Sequence, residues 1–324
     1  MRSPVLEMRD VTKRFGSVRS PIWALAGVSL TLSQGETLGV VGESGSGKST
    51  VARIAVGIES ATTGDVLVMN KPGGERRSSG LVQMVFQDPA SSLNPLLRLG
   101  RSVREPLDVG TEWRDPDARA MELLDQVGLG EEAAGRLPTA LSGGQKQRAS
   151  IGRALVALPP VVICDEAVTA LDVSIRAQVL NLLRRIQREN HTAFMFISHD
   201  LCTVAYMSDR IAVMYLGKVV EVGTTADIFA MPGHPYTAAL LSAVPRLQQG
   251  TRRRPRIRLY GDPPSVMKPP SGCRFHTRCA LVTDLCRAEE PPLRALGDGH
   301  TAACHYAPVD EALLAEATMR RAAA

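Results

Sequence analysis

The sequence predicts an α/β protein on a mixed, mostly parallel sheet, and three observations predict it. Apolar runs of strand length, VVICDEA at 161–167, TAFMFISHD at 192–200 and RIAVMYLGKVVEVG at 210–223, alternate with stretches of helical periodicity. Strands separated by helices imply parallel pairing with both faces of the sheet covered. A glycine-rich loop, GESGSGKST at 42–50, lies between a buried strand and a helix. LVQMVF at 81–86 adds a short apolar strand, and PDARAMELLDQVGL at 116–129 has apolar positions at helical spacing. A helical insert therefore separates two halves of the sheet.

Residues 27–41, GVSLTLSQGETLGVV, first alternate and then become continuously apolar. That pattern predicts a strand, a turn at Gln34 and Gly35, and a buried strand ending at Val41. From Val51 to Gly57 the pattern is helical, and GDVLVMN at 64–70 returns to a strand. After HPYTAALLSAVP the composition changes: QQGTRRRPRIRLYGDPPSVMKPPSG is rich in Pro, Gly and Arg and has no periodicity, which marks a linker. Beyond it lies a cysteine-rich segment. No internal repeat is present.

With 324 residues, 44% hydrophobic and 22% charged, the chain has the length of about two domains. Its start, MRSPVLEMRDVTKRF, lacks the apolar region of a signal peptide, and no window of about 20 residues is apolar enough to span a bilayer. The expectation is a soluble cytoplasmic protein. The net charge of +5 is mild, and much of the excess sits in one run, Arg252, Arg253, Arg254, Arg256 and Arg258. A single run reads as a solvated linker rather than a nucleic-acid surface.

The strongest chemical signal is the loop Gly42, Glu43, Ser44, Gly45, Ser46, Gly47, Lys48, Ser49, Thr50, which fits G-x-x-x-x-G-K-[ST] in the strand-to-helix context that pattern requires. Glycines let successive N–H groups turn inward around phosphates and the helix N-terminus adds positive potential. Lys48 is placed to reach the terminal phosphates of a nucleotide and Ser49 to ligate magnesium. VVICDEA then delivers Asp165 and Glu166 to the carboxyl end of a strand, where open parallel sheets bind their ligands. Asp165 is expected to hold magnesium and Glu166 to orient and polarise the attacking water. LSGGQ, comprising Leu141, Ser142, Gly143, Gly144 and Gln145, precedes the helical run KQRASIGRALVAL and forms a second anion site.

One chain has no need of two such sites for one phosphate tail. In this combination the sequence resembles the ATP-binding-cassette (ABC) ATPases, a branch of the P-loop NTPases in which the signature segment faces the phosphate loop of a second subunit. The resemblance implies an N-terminal antiparallel β subdomain and a helical signature subdomain at about 92–152. It makes Gln87 in VFQDP the residue that senses the γ-phosphate, contributes to the magnesium site and faces the membrane partner. Leu171 and Asp172 become the D-loop, and His199 in FISHD the switch histidine. An aromatic residue is expected to stack on adenine from upstream of the phosphate loop, where the only aromatics are Phe15 and Trp23. Phe15, in VTKRFG, matches the family's place.

The match is closer than the superfamily. AGVSLTLSQGETLGVVGESGSGKST, MVFQDPASSLNP, LDVSIRAQVLNLL, ISHDL, SDRIAVMYLGKVVEVG and HPYTAALLSAVP resemble the ATPases of oligopeptide, dipeptide and nickel importers, and are most like the second of their two paired ATPase subunits. This implies an ATPase at the cytoplasmic face of the membrane, partnered by a homologous ATPase or another copy, two transmembrane permease subunits and an extracytoplasmic solute-binding protein. It implies no nucleic-acid partner. Peptide import is the leading reading; nickel or another small solute, an ABC ATPase acting on nucleic acid or the ribosome, and a module that binds ATP without hydrolysing it are the rivals. Two positions depart from the family pattern: Ala167 stands where proline usually follows the catalytic Glu, and Lys146 where Arg is common. Neither removes a reacting group.

Cys273, Cys279, Cys286 and Cys304 are spaced C-x5-C-x6-C-x17-C. Four thiolates suit zinc or an iron–sulfur cluster, and a reducing cytosol disfavours disulfides. Structural zinc prefers tight C-x2-4-C pairs, so the wider spacing favours a [4Fe-4S] cluster over zinc or unligated thiols, and the resemblance also implies a cluster; His276, His300 and His305 keep a mixed Cys/His site open. Cys164 and Cys202 read as small apolar packing residues. The expected division is a nucleotide-binding domain at 1–245, a linker at 246–271, a cluster-binding extension at 272–308 and a tail at 309–324.

Overall fold

A computed structural model describes residues 3–17, 20–69, 71–72, 80–108, 113–244 and 256–323. In chain order the elements begin with β1 (Pro4–Ser17), β2 (Ser20–Ser33), β3 (Thr37–Val41), α1 (Lys48–Val56), β4 (Thr63–Val68), β5 (Lys71–Pro72) and β6 (Val82–Val85). There follow α2 (Leu99–Arg104), α3 (Pro116–Gln126), α4 (Gly130–Ala134), α5 (Gly143–Leu155), β7 (Val161–Asp165), α6 (Val173–Asn190), β8 (Ala193–Ile197) and α7 (Leu201–Met207). The chain continues with β9 (Arg210–Tyr215), β10 (Lys218–Thr224), α8 (Thr225–Ala230) and α9 (Pro235–Ser242). It ends with α10 (Asp284–Ala288), β11 (Arg294–Gly297), β12 (His300–Ala302) and α11 (Glu311–Ala323).

These elements divide between two compact units, one of Met1–Arg9, Ser29–Leu38 and Ser49–Ser198, the other of Asp10–Val28, Gly39–Lys48 and His199–Ala324. In the first unit β6, β7 and β8 pair in parallel, with Val82 opposite Val161 and Val161 opposite Ala193. Every residue of β7 and β8 is buried, as strands covered on both faces require. α6 lays Val179, Leu180, Leu183 and Ile186 on its buried face. It starts at an Asp172 cap that accepts from the Ile175 N–H and ends at His191 in the left-handed region, φ 53°. The helical insert is α2 to α5, cored by Leu99, Val103, Leu123, Leu124, Ile151 and Leu155. A separate sheet runs β2-β1-β4-β5, with β4 and β5 antiparallel.

In the second unit the strand order is β11-β12-β10-β9, all antiparallel. The apolar stretch 210–223 is thus a hairpin, its turn formed by Leu216 at φ 44° and Gly217 at φ 78°. Glu221 of β10 is fully buried, and its carboxylate accepts the N–H groups of Gly233 at 2.6 Å and His234 at 2.9 Å while His300 Nε2 lies 2.9 Å away. That cluster ties β12 and the start of α9 to β10. Linker residues 256–271 hold no regular element, yet Ile257 is buried and its N–H donates to Ser242 Oγ. Arg256 and Arg258 are exposed, while Arg252, Arg253 and Arg254 lie outside the described residues. The last stretch is helical: Leu314 and Ala315 of α11 join Ala238, Ala239 and Ile257 in a buried apolar cluster.

Candidate functional site

In the first unit, the buried strand β7 ends at Asp165, which is 4% exposed, and Ser49 Oγ donates to its Oδ1 at 3.3 Å. The next residue, Glu166, sits at φ 50°, a region that costs a non-glycine residue of order 1–3 kcal/mol unless its surroundings enforce it. They do. Its N–H donates to the Ile197 carbonyl at 3.0 Å, and its carbonyl accepts both the N–H of Thr169 and, at 2.8 Å, the Thr169 hydroxyl. The turn after Glu166 is closed by Thr169 without a proline, with Ala167 buried inside it. Gln87 Nε2 donates to Glu166 Oε2 at 2.9 Å, so the structure joins two of the residues singled out in the sequence.

The signature segment starts its helix earlier than the sequence suggested: α5 begins at Gly143. Ser142 is its cap, with Ser142 Oγ accepting from the Gln145 N–H and Gln145 Oε1 accepting from the Ser142 N–H. A Cβ on Gly143 would meet no atom within 4 Å, which leaves the backbone at the helix start open to approach. Asp172 is held below the usual carboxylate range by the Ile175 N–H first and then the Ser174 hydroxyl.

In the second unit the glycine-rich loop has Gly42, Gly45 and Gly47 at φ 155°, 78° and 102°. Gly47 needs to be glycine twice over, since a Cβ there would also come 2.7 Å from the Ala24 carbonyl oxygen. Lys48 is 8% exposed and its ammonium donates to the carbonyls of Gly42 at 2.7 Å and Glu43 at 2.9 Å. Those bonds aim it into the loop. His199 is exposed just ahead of α7, whose cap is Asp200. Phe15 is 37% exposed and carries Lys13 Nζ at 4.9 Å from its ring centroid, whereas Trp23 lines a separate cavity of about 370 Å³ with Asp10, Thr12 and Arg274.

All four cysteines of the C-terminal motif line one cavity of about 490 Å³ together with Phe275, Leu281 and Tyr306. Burial pushes the Cys273 thiol up to about 11 and that of Cys279 up to about 12, and raises Cys304. Backbone N–H groups bond the sulfurs, that of Tyr306 reaching Cys304 Sγ at 3.4 Å, and those of Phe275 and Leu281 reaching Cys273 and Cys279. N–H···S bonds and an apolar surround suit cluster thiolates. Among the described residues, however, no group of three or more His, Cys, Asp or Glu side chains is close enough to hold a metal ion as placed. His276 and His305 line the cavity, whereas His300 is committed to Glu221.

Cys164 packs fully buried, as its reading required, and burial lifts its thiol to about 12. Cys202 does not: it is exposed in the first turn of α7, because that turn lies at the surface and only Thr203, Val204 and Met207 face inward. Sequence reasoning missed Thr169, which closes the Glu166 turn, and Tyr236 and Arg278, both of which bond Glu43. Each lies in a segment already marked, Thr169 at the start of TALD, Tyr236 in HPYTAALLSAVP and Arg278 between two motif cysteines, but nothing local gave its partner.

Residues 25–169 match the ABC transporter family, and residues 220–286 match the oligopeptide/dipeptide transporter C-terminal region. The oligopeptide transport ATP-binding protein AppF of Bacillus subtilis is 44% identical over 93% of this chain and 97% of its own length. The dipeptide transport ATP-binding protein DppF of Escherichia coli is 42% identical over 96% of this chain and 97% of its own. Among solved structures, a dimeric post-hydrolysis state of an ATP-binding cassette bound to ADP and Pi aligns with a TM-score of 0.63 at 29% identity, covering 68% of this chain and 98% of that one.

Proposed function

Because the chain belongs to the ABC transporter ATPases that carry the oligopeptide/dipeptide-transporter C-terminal region, we propose that it drives uptake of di- or oligopeptides through separate permease subunits. The observation that carries this reading is the near full-length similarity to relatives named for oligopeptide and dipeptide transport, C-terminal region included. No helix among the described residues is long and apolar enough to cross a membrane.

The chain is an ATP-hydrolysing cassette. In the proposed mechanism Gly42 to Thr50 wrap the phosphates, Lys48 contacts the terminal ones and Phe15 stacks on adenine after Lys13 swings aside. Ser49, Asp165 and Gln87 would hold Mg²⁺, which would supply positive charge against the phosphates. Glu166 orients the attacking water and His199 contacts the γ-phosphate. Leu141 to Gln145 and the D-loop at Leu171 and Asp172 serve the nucleotide of a second ATPase subunit, homologous or identical. A solute-binding protein outside the membrane selects the cargo, and this chain docks at the cytoplasmic face. The nucleotide-binding domain spans 1–245, followed by the linker at 246–271, the extension at 272–308 and the tail at 309–324.

Cys273, Cys279, Cys286 and Cys304 would hold a [4Fe-4S] cluster, with zinc as the alternative; it would staple a segment too small to build a core of its own. Anaerobic purification with iron, sulfide and zinc analysis tests this: about four iron and four sulfide per chain with absorption near 400 nm supports the cluster, and colourless stoichiometric zinc replaces it. The hydrolysis reading is tested in the assembled transporter by Glu166→Gln, which should retain ATP and abolish turnover. Retained turnover would move the water-orienting group elsewhere. Peptide uptake into membrane vesicles, driven by ATP and lost in the same variant, tests the cargo, and uptake of nickel instead would reassign it.

A further inference from the structure

Glu43, the second residue of the glycine-rich loop, has each of its polar groups engaged. Its carbonyl accepts the Ser46 N–H at 3.1 Å and Lys48 Nζ at 2.9 Å. Its N–H donates to the Tyr236 hydroxyl at 2.7 Å and its Oε2 accepts from Arg278 Nη1 at 2.7 Å. The last two partners are 193 and 235 residues away in sequence. Tyr236 belongs to α9, and Arg278 to the five-residue stretch between Cys273 and Cys279.

That stretch is rigidly seated. The N–H groups of Arg278 and Cys279 both donate to the Phe275 carbonyl at 3.0 Å. The Phe275 ring meets Tyr215 edge-on at 5.3 Å and Tyr236 at 5.5 Å, and Arg274 bonds the Leu216 carbonyl. The Arg278 side chain is 7% exposed and that of Glu43 27%, so the pair is partly shielded from bulk water, where a charge-assisted bond counts for more than between fully exposed groups.

We propose that Arg278 and Tyr236 are positioning residues for nucleotide binding, through which the Cys273–Cys279 loop braces the phosphate loop. Holding Glu43 at its N–H and its carboxylate fixes the carbonyl that orients the Lys48 ammonium. Arg278 also offsets a carboxylate charge that would otherwise stand on the loop receiving the anionic phosphates. The inference rests on the reading of Gly42 to Thr50 as the phosphate loop.

The test is equilibrium binding of Mg-ATP to the full chain, paired with thermal unfolding and, in the assembled transporter, with KM and kcat. Arg278→Met should raise the ATP dissociation constant about tenfold, in line with loss of one charge-assisted bond, and raise KM with kcat within about twofold. Arg278→Lys, which keeps a cation able to donate to the Glu43 carboxylate, should retain most of the affinity. Tyr236→Phe, which removes one hydroxyl and keeps the ring, should raise the constant about threefold and serves if Arg278→Met does not fold. Unchanged affinity in Arg278→Met and Tyr236→Phe, or a loss that Arg278→Lys shares in full and that follows the drop in melting temperature, would overturn the proposal. Lys48→Ala separates the premise: if it binds ATP like the parent chain, the phosphate-loop reading fails first.

Discussion

Gln87 Nε2 donates to Glu166 Oε2 at 2.9 Å, so the amide of one segment holds the carboxylate that follows the buried strand β7. The backbone of Glu166 is pinned at φ 50°, which leaves the side-chain torsions as its freedom, and Gln87 restricts them. Gln87→Ala should lower turnover about tenfold, as expected for loss of a hydrogen bond to a charged group, while Glu166 keeps its place in the turn. Steady-state hydrolysis with the melting temperature measured alongside checks it. Unchanged kcat would mean that Thr169 and the turn orient Glu166 by themselves.

Gly47 predicts a sharper loss. Its φ of 102° is open to glycine, and an added Cβ would lie 2.7 Å from the Ala24 carbonyl oxygen and 2.8 Å from Leu25 Cδ2. The backbone contact cannot be relieved by a side-chain rotation. At Gly45, where an added Cβ meets nothing within 4 Å, a change to Ala should cost only its φ strain, about 1–3 kcal/mol, whereas Gly47→Ala should cost more than that because the backbone clash adds to the strain, and should abolish ATP binding. Urea unfolding and ATP titration of the two variants distinguish the positions.

Such loops were legible in the sequence because glycine spacing, strand and helix occur together within a few residues. β7 and β8 were legible for a related reason: strands buried on both faces are continuously apolar. The hairpin at 210–224 was not divided, since Leu216 and Gly217 make a turn without the Asn-Gly or Asp-Gly signal and both flanking strands are apolar. The bonds of Glu43 to Tyr236 and Arg278 were invisible because nothing local marks a partner 193 or 235 residues away. Cys202 misled because its type predicts burial on average, while its place on α7 decides its exposure.

His234 predicts an acid-sensitive component of stability. Its imidazole is buried, and desolvation lowers it from the ordinary 6.5 to about 3. In the folded chain the ring stays neutral down to about pH 3, whereas in the unfolded chain it takes up a proton below about 6.5. Between those values the unfolded state binds more protons, so this stability is complete above pH 6.5 and falls on acidification, by about 1.4 kcal/mol per pH unit. His234 Nδ1 also caps α9 by accepting the Tyr236 N–H at 3.1 Å, a job Asn can do without titrating. The drop in unfolding free energy from pH 7.5 to 5.5 should therefore be about 1.4 kcal/mol smaller in His234→Asn than in the parent. Equal drops in the two chains would place the acid sensitivity in other groups.

The final helix makes the last prediction. Leu314 of α11 is 2% exposed and packs with Ala238, Ala239, Ile257 and Val309, so the stretch after residue 309 contributes to a core with α9 and the linker residue Ile257. Removing a buried Leu side chain costs its transfer free energy and leaves a cavity, together about 2–5 kcal/mol. Leu314→Ala should lower the unfolding free energy by that amount, whereas Leu313→Ala, at a position 54% exposed, should change it by less than about 0.5 kcal/mol. α9 also carries Tyr236, whose hydroxyl accepts the Glu43 N–H of the glycine-rich loop, so ATP affinity reports whether α11 does more than add stability. Below its unfolding temperature Leu314→Ala should bind ATP as the parent does, because the loss falls on the equilibrium between folded and unfolded chains. A weaker ATP affinity in the fully folded variant would instead show that α11 sets the position of α9.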